Sequence, residues 1–370
     1  MILLAASKLY GTAATWRRWW YAHNPSRRRR LDRPVISVGN LNTGGSGKTP
    51  IVAYIAGLLA ARGERPAILS RGYGRMSPEN GATVVSDGTT VFAPLERAGD
   101  EPLMLARALS NVPVVVSANR YVAGCVAERT LGATVHVLDD GFQHLGLERD
   151  VDLLVACSRD LSDQVLPAGR LREPLTAAAS ADALLVEGSS PAGIDEFKTV
   201  LGVGTAFHVE RRIGGPRWLH SGAPAPVGAG DVVVAVAGIA RPERFFADLE
   251  AAHLVPKARI VFRDHHPYTD ADIERIARAA RDAGATLVLT TEKDAARLSA
   301  LRLGDLPFAT VPLTVAVEPS FSTWLMDRIE RTRHPAPSTE HPAPSTQHPA
   351  PGTEHPAPST QHPAPGPHHP

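Results

Sequence analysis

Cysteine is scarce in this chain. Cys125 and Cys157 are the only two in 370 residues, which excludes a disulfide framework and a four-cysteine zinc site and fits a reducing cytosol. No stretch reaches the ~20 apolar residues of a membrane span. The short apolar run at 2–6 has no basic segment ahead of it, so a cleaved signal peptide is not expected. Net charge is nearly absent too, at +1, but that balance hides an asymmetry. Residues 1–33 hold eight bases (Lys8, Arg17, Arg18, the four arginines at 27–30, and Arg33) against Asp32 alone, leaving the rest of the chain at −6. A basic arm on a mildly acidic body suggests an anionic partner at that end.

What is present is enough for a buried core and two domains: 43% hydrophobic and 21% charged residues over this length. In the arm, Ile2, Ala5, Ala6, Leu9, Ala13, Trp16 and Trp20 recur at helical spacing and share one face, with Lys8, Arg17 and Arg18 flanking or opposing it. That pattern predicts a helix lying in an anionic membrane surface; the blander possibility is a terminal helix packed on its own domain. Strands and helices then alternate. Apolar runs at 34–39, 66–69, 112–116, 135–138 and 151–156 read as buried strands, with helices at 50–62, 100–109 and 119–131. A second series follows, with strands at 232–237, 259–262 and 286–290 and helices at 242–252, 270–283 and 292–301. The expectation is an α/β protein. It has a larger parallel-sheet domain over 34–205 and a smaller α/β domain over 206–333, with the boundary poorly marked. From His334 the composition changes to tandem HPAPSTE-type repeats ending in HPAPGPHHP. With two prolines per unit and no large apolar residue, this tail is expected to be extended and disordered. One histidine per seven residues offers no fixed geometry for a metal.

The strongest chemical signal lies between the first strand and the first helix of the larger unit. Asn42-Thr43-Gly44-Gly45-Ser46-Gly47-Lys48-Thr49 is a phosphate-binding loop in its proper strand–loop–helix setting. Its glycines let backbone N–H groups turn toward phosphate oxygens, and the helix start adds a favourable dipole. Lys48 can reach the terminal phosphates of ATP and the Thr49 hydroxyl can ligate Mg²⁺. Asn42 stands where the general pattern begins with glycine. The strand at 135–138 delivers Asp139 and Asp140, an acidic pair suited to the metal of such a loop. Asp100 and Glu101 open a helix, where an aspartate often merely caps. Asp264, His265 and His266 end a strand of the second series.

Read in order, VGNLNTGGSGKTP, LSRGYGR, GDEP, LDDGFQH, LPAGRLREP, GIARPERFF, FRDHHPY and TTEKDA resemble the tetraacyldisaccharide 4′-kinase family over about residues 1–330. The resemblance implies a two-domain kinase with its site in the cleft between domains, bound peripherally on the cytoplasmic face of the bacterial inner membrane by its N-terminal segment. It implies ATP and Mg²⁺, and as acceptor the 4′-hydroxyl of an acylated glucosamine disaccharide phosphate in lipid A synthesis. By motif, Lys48 and Thr49 match the phosphate and metal residues, and Asp139 and Asp140 the acidic metal pair. Asp100 and His265 match a catalytic pair with Glu101 beside it at the metal, and Arg120 and Gln143 match further positions of the site. Asp100 and His265 then belong to different domains, and closure on both substrates is expected to join them. One departure is Arg170, where the family usually has proline, which affects the local loop shape. A partition-type switch ATPase is the rival class, but its signature lysine would fall at Thr43. A membrane scaffold without catalysis leaves the phosphate loop unexplained. Neither nucleic acid nor a protein partner is called for.

Overall fold

The computed structural model describes residues 2–44, 47–75, 81–188, 191–228, 230–304 and 306–333. Gly45 and Ser46 of the phosphate loop and the whole repeat tail lie outside the described residues. Fourteen strands occur among those described: β1 Val35–Gly39, β2 Pro66–Ser70, β3 Thr83–Ser86, β4 Val114–Val116, β5 Val135–Asp139, β6 Val151–Cys157, β7 Ala183–Glu187, β8 Ala206–Ile213, β9 Arg217–Trp218, β10 Val233–Ala237, β11 Ala258–Val261, β12 Leu287–Thr291, β13 Phe308–Val311 and β14 Leu313–Val317. The helices are α1 Ile2–His23, α2 Lys48–Ala61, α3 Leu95–Ala98, α4 Asp100–Ala108, α5 Arg120–Leu131, α6 Ser158–Leu161, α7 Pro191–Leu201, α8 Pro242–Ala251, α9 Asp270–Ala283, α10 Glu292–Leu298 and α11 Ser320–Thr332.

A nine-stranded sheet runs β14-β8-β7-β6-β1-β5-β2-β4-β3, parallel except at its two edges, where β14 and β3 are antiparallel to their neighbours. Strand β1 lies in the middle, buried at all five residues, as expected of a parallel strand covered on both faces. Its carboxyl end and that of β5 deliver the phosphate loop and Asp139 side by side, because Val38 pairs with Asp139 in register. Ligands of open parallel sheets bind at such strand ends. A five-stranded sheet, β11-β10-β12-β13-β9, forms the smaller lobe.

The division of the chain differs from the sequence expectation of a smaller domain over 206–333. Strand β8 pairs in parallel with β7, and β14 returns to pair antiparallel with β8, Leu313 opposite Ile213. Helix α11 then buries Phe321, Leu325 and Ile329 against the core of the large sheet. The smaller lobe is therefore an insertion between β8 and β14, and residues 1–333 form one compact unit. Strand β8 was inconspicuous because it is only half apolar; its burial alternates, with Phe207 and Val209 inward and Glu210 and Arg212 outward.

Two glycines make contrasting predictions. A Cβ at Gly39 would lie 2.4 Å from the Phe142 Cβ and 2.7 Å from its backbone nitrogen, so the end of β1 has no room for a side chain. Gly39→Ala is expected to destabilise by about 1–3 kcal/mol, the usual cost of overpacking. Gly57, exposed on α2 with open space around it, should gain about 1 kcal/mol as alanine from helix propensity. Urea midpoints of the two variants should shift in opposite directions.

Candidate active site

Strand β1 ends against a polar floor. The buried Asn40 side chain accepts from Lys48 Nζ at 2.8 Å and from Arg172 at 2.5 Å, and donates to Asn42 Oδ1 at 2.8 Å. Asn42 donates in turn to Asp160 at 2.5 Å. Its side chain thus serves the floor rather than a ligand, although sequence reasoning placed it with the phosphate-binding residues. The Thr43 N–H is held by the Arg170 carbonyl at 2.8 Å. Arg170 itself folds back onto Asp163 at 3.0 Å, so the arginine found in place of proline anchors its own loop. Gly44 and Gly47 have φ of +113° and +74°, the left-handed backbone that glycine adopts at little cost. Thr49 stands in the first turn of α2, where N–H groups lack helical partners.

The acidic pair is split by environment. Asp140, in left-handed backbone at φ +55°, meets Arg172 through both oxygens at 2.8 and 2.9 Å and Lys48 at 3.1 Å. Burial alone would raise its pKa, but these cations hold it well below the usual carboxylate range. Asp139 is buried and accepts from Ser70 Oγ at 3.3 Å. Burial, then the nearby charges of Glu101 and Asp140, push its pKa up. Among the described residues no group of three or more His, Cys, Asp or Glu side chains forms a metal cage. A buried carboxylate whose charge is disfavoured by burial and by two neighbouring acids, with Glu101 and the Thr49 hydroxyl on the same cleft, nevertheless fits a hard, oxygen-seeking cation such as Mg²⁺, which keeps most of its own waters.

Across the cleft, β12 turns into α10 and the segment after β11 carries His265 in left-handed backbone, φ +55°. His265 Nδ1 lies 2.9 Å from Asp100 Oδ2. The pair expected to need domain closure is in contact in this structure. Asp100 is the first residue of α4 and only 5% exposed; its other oxygen accepts the Glu101 N–H at 2.9 Å. Burial opposes its charge, but the hydrogen bond from His265 and the charges of Lys293, His265 and Arg297 outweigh it and lower its pKa. Lys293 is half-buried, and its desolvation favours the neutral form, yet Glu101, Asp100 and Asp264 raise its pKa overall. Arg120 is buried beneath the site, its pKa lowered by burial to about 10 while Asp139 and Asp140 pull it upward. Gln143 donates to the Asn40 carbonyl at 2.9 Å and so braces the floor. A cleft of about 510 Å³ brings together Lys48, Thr49, Asp139, Glu101 and His265, with Tyr73 at its wall. Arg172 and Lys293 carried no role in the sequence reading. Both sat inside motifs already noted, LPAGRLREP and TTEKDA, but nothing in sequence spacing says which charge a side chain meets.

A parallel sheet with a Gly-Lys-Thr loop at the carboxyl end of its central strand, and an acidic residue ending the adjacent one, defines a P-loop nucleotide-dependent enzyme. The comparisons with known proteins narrow this. The family model described as tetraacyldisaccharide-1-P 4′-kinase matches residues 1–330, and the chain belongs to that family. It is 43% identical over 309 residues to the tetraacyldisaccharide 4′-kinase of Geobacter metallireducens, covering 82% of this chain and 90% of the relative. To that of Geobacter sulfurreducens it is 41% identical over 337 residues, covering 89% and 93%. The crystal structure of LpxK from Aquifex aeolicus in complex with ATP superposes with a TM-score of 0.73 at 34% identity, covering 89% of this chain and 97% of that one.

The arm docks more tightly than a solvated tail would. Helix α1 lies on the body through Ser7, which accepts the Ala168 N–H at 2.9 Å, and Gly11, beside Val165 and Pro174. Arg18 pairs with Glu173 at 2.7 Å and stacks over Phe142 at 4.3 Å. The arginine run is not free of the body either: Arg30 bridges Glu148 at 2.5 Å and Asp150 at 3.4 Å, and Arg29 covers the Tyr121 ring. The opposite side of α1 is apolar and outward, with Ile2 87%, Leu9 74% and Trp16 61% exposed. No helix among the described residues is long and apolar enough to cross a membrane.

Proposed function

We propose that the chain catalyses its family's reaction, transfer of the γ-phosphoryl group of ATP to the 4′-hydroxyl of a tetraacylated glucosamine disaccharide 1-phosphate, with Asp100 as the base. The observation that carries this reading is the 2.9 Å Asp100–His265 contact at the edge of the cleft that holds Lys48. The phosphate loop holds the triphosphate, and Lys48 donates to the oxygens of the transferring group. Mg²⁺, held by Asp139, Thr49 and Glu101, would neutralise charge on the phosphate oxygens when bound. Arg172 keeps Asp140 turned toward Lys48, so the lysine is positioned before nucleotide arrives. The hydroxyl oxygen forms a bond to the γ-phosphorus as the bond to ADP breaks, and its proton passes to Asp100. A carboxylate whose pKa is lowered is a weak base. That suits phosphoryl transfer, in which the transition state is loose and the proton moves late. His265 orients the carboxylate. The direct test is transfer of labelled γ-phosphate to the tetraacyl disaccharide 1-phosphate in detergent, with and without Mg²⁺. Nucleotide hydrolysis with no labelled lipid would reject the reading and favour a switch ATPase.

An acceptor with four acyl chains is presented at a bilayer, and the outward face of α1 supports a peripheral placement there. Ile2, Leu9 and Trp16 would enter the headgroup boundary, with Lys8 and Arg17 beside them toward anionic lipid. Each basic residue near such a surface contributes about 1 kcal/mol, screened by salt. Leu9→Glu with Trp16→Glu is expected to abolish sedimentation with phosphatidylglycerol-containing vesicles while leaving ATP binding intact. Equal sedimentation of the double variant and the parent would reject α1 as the anchor. The cytoplasmic face of the inner membrane is the side on which ATP is available.

A further inference from the structure

One ammonium group ties the base pair to Glu101. Lys293 is the second residue of α10, whose N-cap Thr291 accepts the Asp294 N–H. Its side chain is 17% exposed, and Nζ lies 3.2 Å from His265 Nε2, 3.2 Å from Glu101 Oε1 and 3.5 Å from Asp264 Oδ1. An ammonium has three protons and no lone pair, so it donates in each of these contacts. The ring nitrogen facing it must then be the bare one. The ring proton sits on Nδ1, where Asp100 Oδ2 accepts it at 2.9 Å. With Nε2 engaged by Lys293 and Nδ1–H by Asp100, the imidazole has no lone pair left for an incoming hydroxyl.

We propose that Lys293 is a positioning residue of the transfer reaction, holding His265 in the Nδ1–H tautomer so that Asp100 is left as the only base of the pair. This rests on the reading of Asp100 and His265 given above. The same ammonium fixes Glu101, so one side chain of the smaller lobe sets both the base pair and a carboxylate of the phosphate side. The backbone supports its placement. Asp294, the next residue, is fully buried and takes the Gly238 N–H, the Tyr268 hydroxyl and Arg297, which pins the first turn of α10. Arg297 in turn approaches Asp100 at 3.8 Å. The tautomer of a metal-ligating or catalytic ring is commonly set by what its second nitrogen meets; here the nearer partner of Nε2 is a donor, Lys293 at 3.2 Å, with the Asp264 carboxylate farther off at 3.8 Å.

The test uses the full chain labelled with ¹⁵N-histidine, with the His265 signals assigned by their loss in His265→Gln. Two-bond ¹H–¹⁵N correlation spectra report which ring nitrogen carries the proton. In the parent and in Lys293→Arg, which keeps a donor, Nδ1 is expected to be protonated and Nε2 bare. In Lys293→Met a species protonated on Nε2 should appear. The kcat of Lys293→Met should fall roughly 10–100-fold, as for other partners that orient a site ring, with KM for ATP little changed, and Lys293→Arg should recover part of the loss. A parent ring protonated on Nε2, or a Lys293→Met ring whose tautomer is unchanged, would overturn the inference. The parent and Lys293→Arg spectra decide it even if the methionine variant does not fold. Full turnover in His265→Gln would instead remove the base pair itself, a result separate from the tautomer.

Discussion

Asp100→Ala is expected to lower kcat by roughly 10²–10⁴, the range for loss of a general base, while the affinity for ATP stays near that of the parent. The carboxylate touches His265 and neighbours Glu101 at the start of α4, and its hydrogen bonds and ion pairs among the described residues go to His265, Glu101 and Arg297 rather than to the phosphate loop. Arg297, which approaches it, keeps its closer partner Asp294 at 2.8 Å, so the variant should remain folded. His265→Ala should also lower kcat. If the two act as one unit, the double variant should be little worse than Asp100→Ala alone. Steady-state kinetics of the three variants, with ATP binding measured separately, gives the answer. Fully multiplicative losses would refute the pair. A larger loss in His265→Ala than in Asp100→Ala would reverse the roles, making the ring the base and the carboxylate its support.

Lys48→Ala is expected to reduce turnover by about 10²–10³, the cost of removing one preorganised donor from a developing charge. Lys48 is held by Asn40 at 2.8 Å and by Asp140 at 3.1 Å, so its position is set in advance. Its loss leaves Asp140 paired with Arg172 through both oxygens, which is why the fold should survive. Thr49→Ala should make a smaller change and raise the Mg²⁺ concentration needed for half-maximal rate. Transfer assays across a magnesium titration, with circular dichroism as a check on folding, distinguish the two. Near-parental rates in Lys48→Ala would remove the loop from the chemistry.

Much of the scaffold was legible because parallel strands buried on both faces are written as short unbroken apolar runs. Those at 34–39, 66–69, 135–138 and 151–156 each became a strand within a residue or two. The helix expected at 270–283 is α9, residue for residue, with a Thr269–Asp272 capping box at its start and Gly284 at its end. Strands β3, β7, β8, β9, β13 and β14 escaped the reading. Of these, β3, β9 and β14 are edge strands, and β3, β8, β9 and β14 carry mixed or partly exposed faces, so their pattern is weaker than that of the centre. The outward apolar stripe of α1 was visible as periodicity. That its opposite side docks through Ser7, Gly11 and Arg18 was not, since small and polar residues give no hydrophobic signal.

The sequence alone determined the phosphate loop, the acidic residues after β5, the alternating architecture and the kinase family. Each is encoded in contiguous residues, where local backbone geometry and periodic burial suffice. Only the tertiary structure decided that the smaller lobe is an insertion whose ends, β8 and β14, pair within the larger sheet. It alone decided that Lys48 and Arg172 pair directly with Asp140 while burial and two neighbouring acids disfavour the charge of Asp139. It alone placed the Lys293 ammonium between Glu101 and His265, residues 192 and 28 positions away in the chain. Strand pairing and charge pairing are set by which surfaces meet when the core closes. A sequence fixes the partners of a side chain only through that closure, so no local pattern could have named them.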